Sequence, residues 1–321
     1  LKRFGTVQTY RIDIYRDSPT PRHTYIGLSG LLVLRMKTLT YIHVGSGTEE
    51  LTIPRNIEQI VRGKSFEKAV EELKSRIATD FIKNTASSRK PVIPASTMKG
   101  RTRTRIELTL PPRSDGGRWS CFIKASLPQN ANRQSAWRHR KLFGDTVFEN
   151  RGPSCDLTRS NTVCLTCDMF GTAGLQGLIS FSDLVAEQNT LENITGEFGM
   201  KLQAIKPGTE LVGRVYFKNL SKPRLGLLLY GLGICGKPSG HKILVGRLKY
   251  RRGLGGKSFG IAVLDLTEAL FTKVLEDLDG VVPEKPITGE GLNSLCNTLW
   301  DAAVKMYNVK VFDEVEKLGR A

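Results

Sequence analysis

The stretch LSGLLVLRMKTLTYIHVGSG, residues 28–47, sets the architecture. Leu28 to Val33 and Leu39 to Val44 are apolar and partly β-branched, which predicts strand, and Gly45-Ser46-Gly47 predicts its end. Downstream, Ile57, Ile60, Val61, Phe66, Val70, Leu73, Ile77 and Phe81 follow a helical period broken at Gly63. The stronger piece is 65–83, with Ser65 placed to cap it and Lys68 and Glu72 four apart on one face. A further helix is predicted from Ser96 or Thr97 through Glu107. Strands are predicted at 178–181, 210–217 and 261–266, and helices at 267–278 and 292–307. Residues 224–235 fit either state, with Leu225, Leu228, Leu229 and Leu232 favouring a helix face. Strands and helices mixed in this order imply an α+β fold, an antiparallel sheet with helices on one face.

The chain has 321 residues, 48 Lys and Arg against 31 Asp and Glu, and a net charge of +17. The excess is uneven. Residues 262–321 hold 6 basic and 11 acidic residues, so the cationic body ends in an acidic tail. A polyanion belongs on the body, and a basic partner suits the tail. A soluble basic protein with no polyanionic partner has the same composition. No run of 18 apolar residues occurs, and the first residues lack an apolar segment with a cleavage site, so a cytoplasmic protein is expected. Six cysteines in a chain this long do not form the pattern of a secreted disulfide scaffold.

Two basic, glycine-rich stretches stand out. One is the run Lys99-Gly100-Arg101-Thr102-Arg103-Thr104-Arg105, whose cations and hydroxyls suit phosphate contacts and whose Arg101 and Arg105 share a helical face. The other spans Arg247 to Gly260. There Arg251, Arg252 and Lys257 surround Gly253, Gly255 and Gly256, with Ser258 adjacent. Backbone amides bared by glycine grip phosphate without steric cost. A solvated basic helix and an ordinary tight turn account for the same residues. The Gly256-Lys257-Ser258 triplet lacks the four-residue spacing of a nucleotide P-loop, which excludes that class of ATPase.

Residues 128–170 are polar and irregular and need a staple. His139, Cys155, Cys164 and Cys167 supply the donors of a structural zinc site, the Cys-x2-Cys pair coming from one turn. Three free cysteines produce the same spacing by chance, and His241 is an alternative fourth ligand more distant in sequence. No nucleophilic triad is visible. Between Ser18 and Thr79 there is no aspartate. Glu49 and Glu50 are thus the nearest carboxylates to the first glycine stretch, with His43 beside it, and they are the weak catalytic candidates.

Taken together, Gly45-Ser46-Gly47, IPASTMKGR at 93–101, CLTCDMFG at 164–171 and GLGGKSFG at 253–260 resemble the RAMP superfamily. The likeness is strongest to backbone (Cas7-like) subunits of type III CRISPR–Cas effector complexes, with Ala95 where the family usually has glycine. The resemblance implies a ferredoxin-like, RRM-like core with helical and zinc-stapled insertions. It further implies a single domain over 1–321, with a helical insertion and guide-contacting helix in 45–120, the zinc insertion in 128–171 and an acidic helical part in 262–321. Guide CRISPR RNA, target RNA and other RAMP-type subunits are the implied partners in antiviral interference. Gly45, Ser46, Ser96, Thr97, Lys99, Arg101 and Arg105, with the 251–258 loop, are the implied guide contacts. Active members cut target RNA with an aspartate after the first glycine signature. TEELTIPRN at 48–56 has none, so binding without cutting is expected. Cleavage by Glu49 or Glu50 with Mg or Mn, guide processing through His43 or Tyr41, and a non-CRISPR zinc-containing RNA-binding protein are the alternatives.

Overall fold

The computed structural model describes residues 9–11, 13–52, 56–76, 78–84, 86–87, 90–121, 147–150, 154–195, 201–250 and 253–318. In chain order its elements are β1 (Thr9–Arg11), β2 (Leu28–Thr38), β3 (Gly45–Thr52), α1 (Ile57–Val61), α2 (Phe66–Arg76), β4 (Ala78–Asn84), β5 (Ala86–Ser87), β6 (Lys90–Ile93), α3 (Ala95–Thr109), β7 (Val147–Asn150), α4 (Leu165–Phe170), β8 (Ile179–Phe181), β9 (Leu184–Ala186), β10 (Leu191–Thr195), β11 (Lys201–Ile205), β12 (Glu210–Leu220), α5 (Lys222–Leu232), β13 (Lys242–Leu244), β14 (Ile261–Lys273), α6 (Gly289–Tyr307) and α7 (Glu314–Leu318).

The centre of the main sheet runs β14-β2-β12-β8, every pair antiparallel. With α3 before β8 and α5 before β14, this is the β-α-β-β-α-β arrangement of a ferredoxin-like core. Alternation sets the faces. In β2, Leu32, Leu34, Met36 and Thr38 are buried while Arg35 and Lys37 are exposed. In β12, Leu211, Val215 and Phe217 are buried and Val212, Arg214 and Tyr216 exposed. Helices α3, α5 and α6 cover the buried side. A second sheet, β10-β11-β4-β3, is assembled from two insertions into this core, one between β2 and α3 and one between β9 and β12.

Helix α5 shows why the glycine-rich 224–235 segment is helical. Pro223 opens it, and Gly233 closes it in the left-handed region at φ 94°, with Ile234 N donating to Leu229 O. Inside it, Gly226 lets α6 approach closely. A Cβ there would stand 1.9 Å from Leu299 O. Gly226→Ala is therefore expected to cost about 1–3 kcal/mol by overpacking, read from urea unfolding midpoints. An unchanged midpoint would show that the helices separate freely.

Three expected elements differ. The helix expected at 267–278 is instead strand as far as Lys273. A bulge between Leu266 and Glu268 changes the parity of β14, so the buried residues run Ala262, Leu264, Leu266, Ala269, Phe271. The three-residue step at the bulge imitates a helical period. The acidic 262–321 part thus begins with a core strand rather than a helix. The helix expected at 65–83 stops at Arg76, and 78–84 is β4, paired with β3 and β11. Of the strand expected at 39–44, only residues 41–43 pair, as isolated bridges, and Gly45 begins β3 rather than ending one. The expected helical insertion in 45–120 therefore mixes strands with helices. Ser65 O accepts from Ala69 N as α2 starts, and Glu72 pairs with Lys64.

No described helix is long and apolar enough to cross a membrane.

Candidate nucleic-acid interface and metal centre

Helix α3 turns Met98, Thr102 and Ile106 into the core, each 0 % exposed. Its first turn leaves Ser96 and Gly100 exposed and Thr97 and Lys99 half-buried. The helix is fifteen residues long with no acid in its first turn, so its positive end favours an anion. Ala95 N donates to Asp183 Oδ1 at 2.7 Å. Gly45 from the start of β3, Ser96, Thr97 and Gly100 from α3, and Gly246 to Tyr250 close around one cleft of about 400 Å³. The two basic stretches, far apart in sequence, meet there.

Arg101 and Arg105 also line this cleft, but neither reaches out of it. Their side chains are 4 % and 2 % exposed. Both donate to Glu314 Oε2 of α7, Arg101 Nη2 at 2.6 Å and Arg105 Nη1 at 3.0 Å. The remaining donors mostly find carbonyls: Arg101 Nη1 on Gly231 at 2.8 Å, Arg105 Nε on Tyr230 at 3.1 Å and Arg105 Nη2 on Phe312 at 2.8 Å. The sequence places both arginines on phosphate; the structure makes them a buried framework, because a helical face that meets α5 and α7 cannot also meet solvent. Two guanidinium groups against one carboxylate still leave a positive excess beside the cleft, and Arg101 Nε is buried without a hydrogen-bond partner. Burial, then repulsion from Arg103, lowers the pKa of Lys99. A cation in that state gains from an anion nearby.

The second glycine stretch is a hairpin. Leu254 and Lys257 exchange both backbone hydrogen bonds at 3.0 Å around Gly255 and Gly256, at φ 57° and 71°. That is the turn in which two positive φ values demand glycine. Gly253 is glycine because a Cβ would meet Lys257 O at 2.4 Å. Lys257 is paired with Glu192 of β10 and donates to Tyr41 Oη at 3.0 Å, which anchors the hairpin to the second sheet. The glycines and Lys257 thus serve the turn, while Ser258 and the Gly255-Gly256 tip are exposed. Arg251 and Arg252 lie outside the described residues.

Four cysteine sulfurs gather on the other side of α3. Cys121, Cys155, Cys164 and Cys167 are all buried, and their sulfurs lie within 4.8 Å of one another. Cys121 and Cys167 sulfurs are 3.3 Å apart, and Cys121 and Cys164 sulfurs 3.6 Å. A metal–sulfur bond of about 2.3 Å puts tetrahedral sulfurs about 3.8 Å apart, so the set suits a single ion. Backbone N–H groups of Cys121 and Cys164 and the guanidinium groups of Arg16 and Arg103 donate to these sulfurs. The sulfurs of Cys121 and then Cys164 hold the Cys155 thiol well below its usual range, and that of Cys121 brings Cys164 down to about 6. Cys121, absent from the ligand set expected from spacing, lies 34 residues before Cys155. His139 lies outside the described residues, and His241 is not part of the sulfur cluster.

The family model of the RAMP superfamily matches residues 35–258. The chain belongs to the RAMP superfamily. Its ferredoxin-like core, interrupted by insertions, agrees with that membership. Among solved structures this RAMP chain is similar to the crystal structure of Thermofilum pendens Csc2, with 14 % identity, a TM-score of 0.35, and coverage of 91 % of this chain and 80 % of that one. None of the curated proteins compared matches the chain.

The catalytic candidates of this RAMP chain fare unequally. His43 is 0 % exposed, with Nδ1 donating to Gln203 O at 2.6 Å. Burial, opposed by that bond and assisted by Arg247, lowers its pKa. An imidazole held this way is packed as part of the core. Glu49 and Glu50 sit in β3, opposite Ile82 and Phe81 of β4, rather than in a loop.

Proposed function

We propose that this RAMP protein is a guide CRISPR RNA-binding backbone subunit of a type III interference complex, positioning target RNA among other RAMP-type subunits without cutting it. The observation that carries the reading is the cleft in which the first turn of α3, Gly45 and the Gly246–Tyr250 segment converge over the buried Arg101–Glu314–Arg105 cluster. It offers hydroxyls, exposed backbone at glycine and cations, which recognise a ribose-phosphate chain by shape and charge and leave sequence reading to base pairing. Lys99, Ser96 and Thr97 with Gly45 and Ser46 face the strand on one side, and Arg247 and Lys249 on the other. The exposed Gly255-Gly256 tip and Ser258 extend the path. Arg101 and Arg105 act through their buried field.

The four thiolates of Cys121, Cys155, Cys164 and Cys167 hold zinc, whose chemistry here is structural: four protein ligands leave no position for water. The missing aspartate after the first glycine stretch is the ground for reading the subunit as non-cutting, with Glu49 and Glu50 dispensable.

Purification of the complex from its source, with RNA extraction and subunit identification, tests the reading directly; a preparation free of RNA sinks it. With a single-stranded RNA probe, Lys99→Ala and Arg247→Ala should each reduce the slope of log affinity against log salt by about 0.7. Slopes equal to the parent's would remove both residues from the strand's path.

A further inference from the structure

Arg103 of the basic run on α3 reaches the cysteines, and all three of its guanidinium nitrogens donate. Nε donates to Glu107 Oε1 at 2.8 Å, Nη1 to Gly171 O at 2.8 Å and Nη2 to Cys167 Sγ at 3.2 Å. Gly171 O belongs to the C-cap of α4, the helix that begins just after Cys164 and carries Cys167. Glu107 is itself 4 % exposed. Arg16 Nε donates to another of the four sulfurs, Cys155 Sγ, at 3.4 Å. Four thiolates around a divalent ion carry two excess negative charges, and both arginines donate to them, Arg103 sharing its charge with Glu107. Donors in this position orient ligands and tune a metal's affinity. Arg103 also lies one turn from Lys99 on the same helix, and the two cations repel.

We propose that Arg103 is the positioning residue of the metal centre, and that through it metal occupancy fixes the first turn of α3, including Ser96, Thr97 and Lys99. The second half rests on the RNA-binding reading above. With the ion in place, negative charge on Cys167 holds the guanidinium, which holds α3 in register with α4. Without it, Arg103 keeps Glu107 but its bond to Cys167 weakens, and the turn loosens.

The test uses full-length protein loaded with Co(II), whose sulfur-to-metal charge-transfer absorption reports the thiolate environment. Arg103→Gln should shift that band and weaken Co(II) about ten- to hundredfold in chelator competition. Arg103→Lys, which keeps the charge but not the fork, should fall between Gln and the parent. Arg16→Gln, which leaves the α3–α4 link intact, should shift the band with little effect on affinity for single-stranded RNA. Stripping the parent protein should weaken its RNA affinity, and reloading should restore it. An unshifted band with parental Co(II) affinity in Arg103→Gln overturns the proposal, as does parental RNA affinity after stripping. If Arg103→Gln fails to fold, the Arg103→Lys and Arg16→Gln spectra decide the first half and stripping decides the second. If the parent binds Co(II) but no RNA, the coupling and the RNA reading fall while the role of Arg103 at the metal remains readable.

Discussion

Cys121→Ala should abolish stoichiometric metal retention, whereas His139→Ala should leave it intact. The sulfurs of Cys121, Cys155, Cys164 and Cys167 already form a complete tetrahedral set, and a fifth ligand has no place in it. Structural zinc contributes roughly 10–16 kcal/mol of apparent binding free energy in small modules, all of it tied to folding. Leu165, Met169 and Phe170 of α4 reach the main core, but the cluster around the cysteines themselves has Val163 as its one other buried apolar side chain among the described residues. Loss of the ion should therefore cost more here than any single core truncation. Elemental analysis gives the stoichiometry, and limited proteolysis reports loosening near Cys164. Near one ion per chain in Cys121→Ala, with loss in His139→Ala, would hand the fourth place to the histidine.

The second large effect is expected at Glu314. Its carboxylate is buried between Arg101 and Arg105, with side-chain exposure of 7 % against 4 % and 2 %. Glu314→Gln keeps the shape but leaves two guanidinium groups buried against each other. Breaking a buried pair in this way costs about 3–5 kcal/mol, measurable in urea. The pH dependence has a definite sign. Burial pushes the Glu314 pKa up, but Arg101 and Arg105 prevail and hold it below its ordinary 4.5. A carboxylate depressed in the folded state stabilises fully above the unfolded pKa and loses that stabilisation as pH falls through the folded one. The gap between parent and variant should therefore be full and constant above about pH 4.5 and close progressively as pH falls below it. Parallel curves across that range would mean that Glu314 is not ionised in the folded protein. Replacing all three residues by apolar ones of similar size should recover stability while weakening RNA affinity, which separates the framework role from the electrostatic one.

Much of the fold was legible in the chain. The alternation in β2 and β12, the glycine after α5 and the amphipathic α6 are local signals, each fixed within about a dozen residues by backbone sterics and the need to bury one face. Strand β14 shows the limit. Its bulge inserts one residue opposite β2, and a pairing partner is not visible in a linear period. The cysteine set shows another. Cys164 and Cys167 advertise themselves by spacing, but Cys121 is marked only by residue type, and distance along the chain says nothing about which sulfur arrives fourth.

Residue types alone settled that the protein is basic, α+β, and equipped with soft metal donors and glycine where backbone must turn, since charge, period and turn geometry are short-range properties. Tertiary packing decided what each cation is for. It buried Arg101 and Arg105 under Glu314, tied Lys257 to Glu192, turned Arg103 toward Cys167 and left Arg247 and Lys249 at the cleft. A charge acts through whatever dielectric and counter-charge surround it, and only the folded chain supplies those.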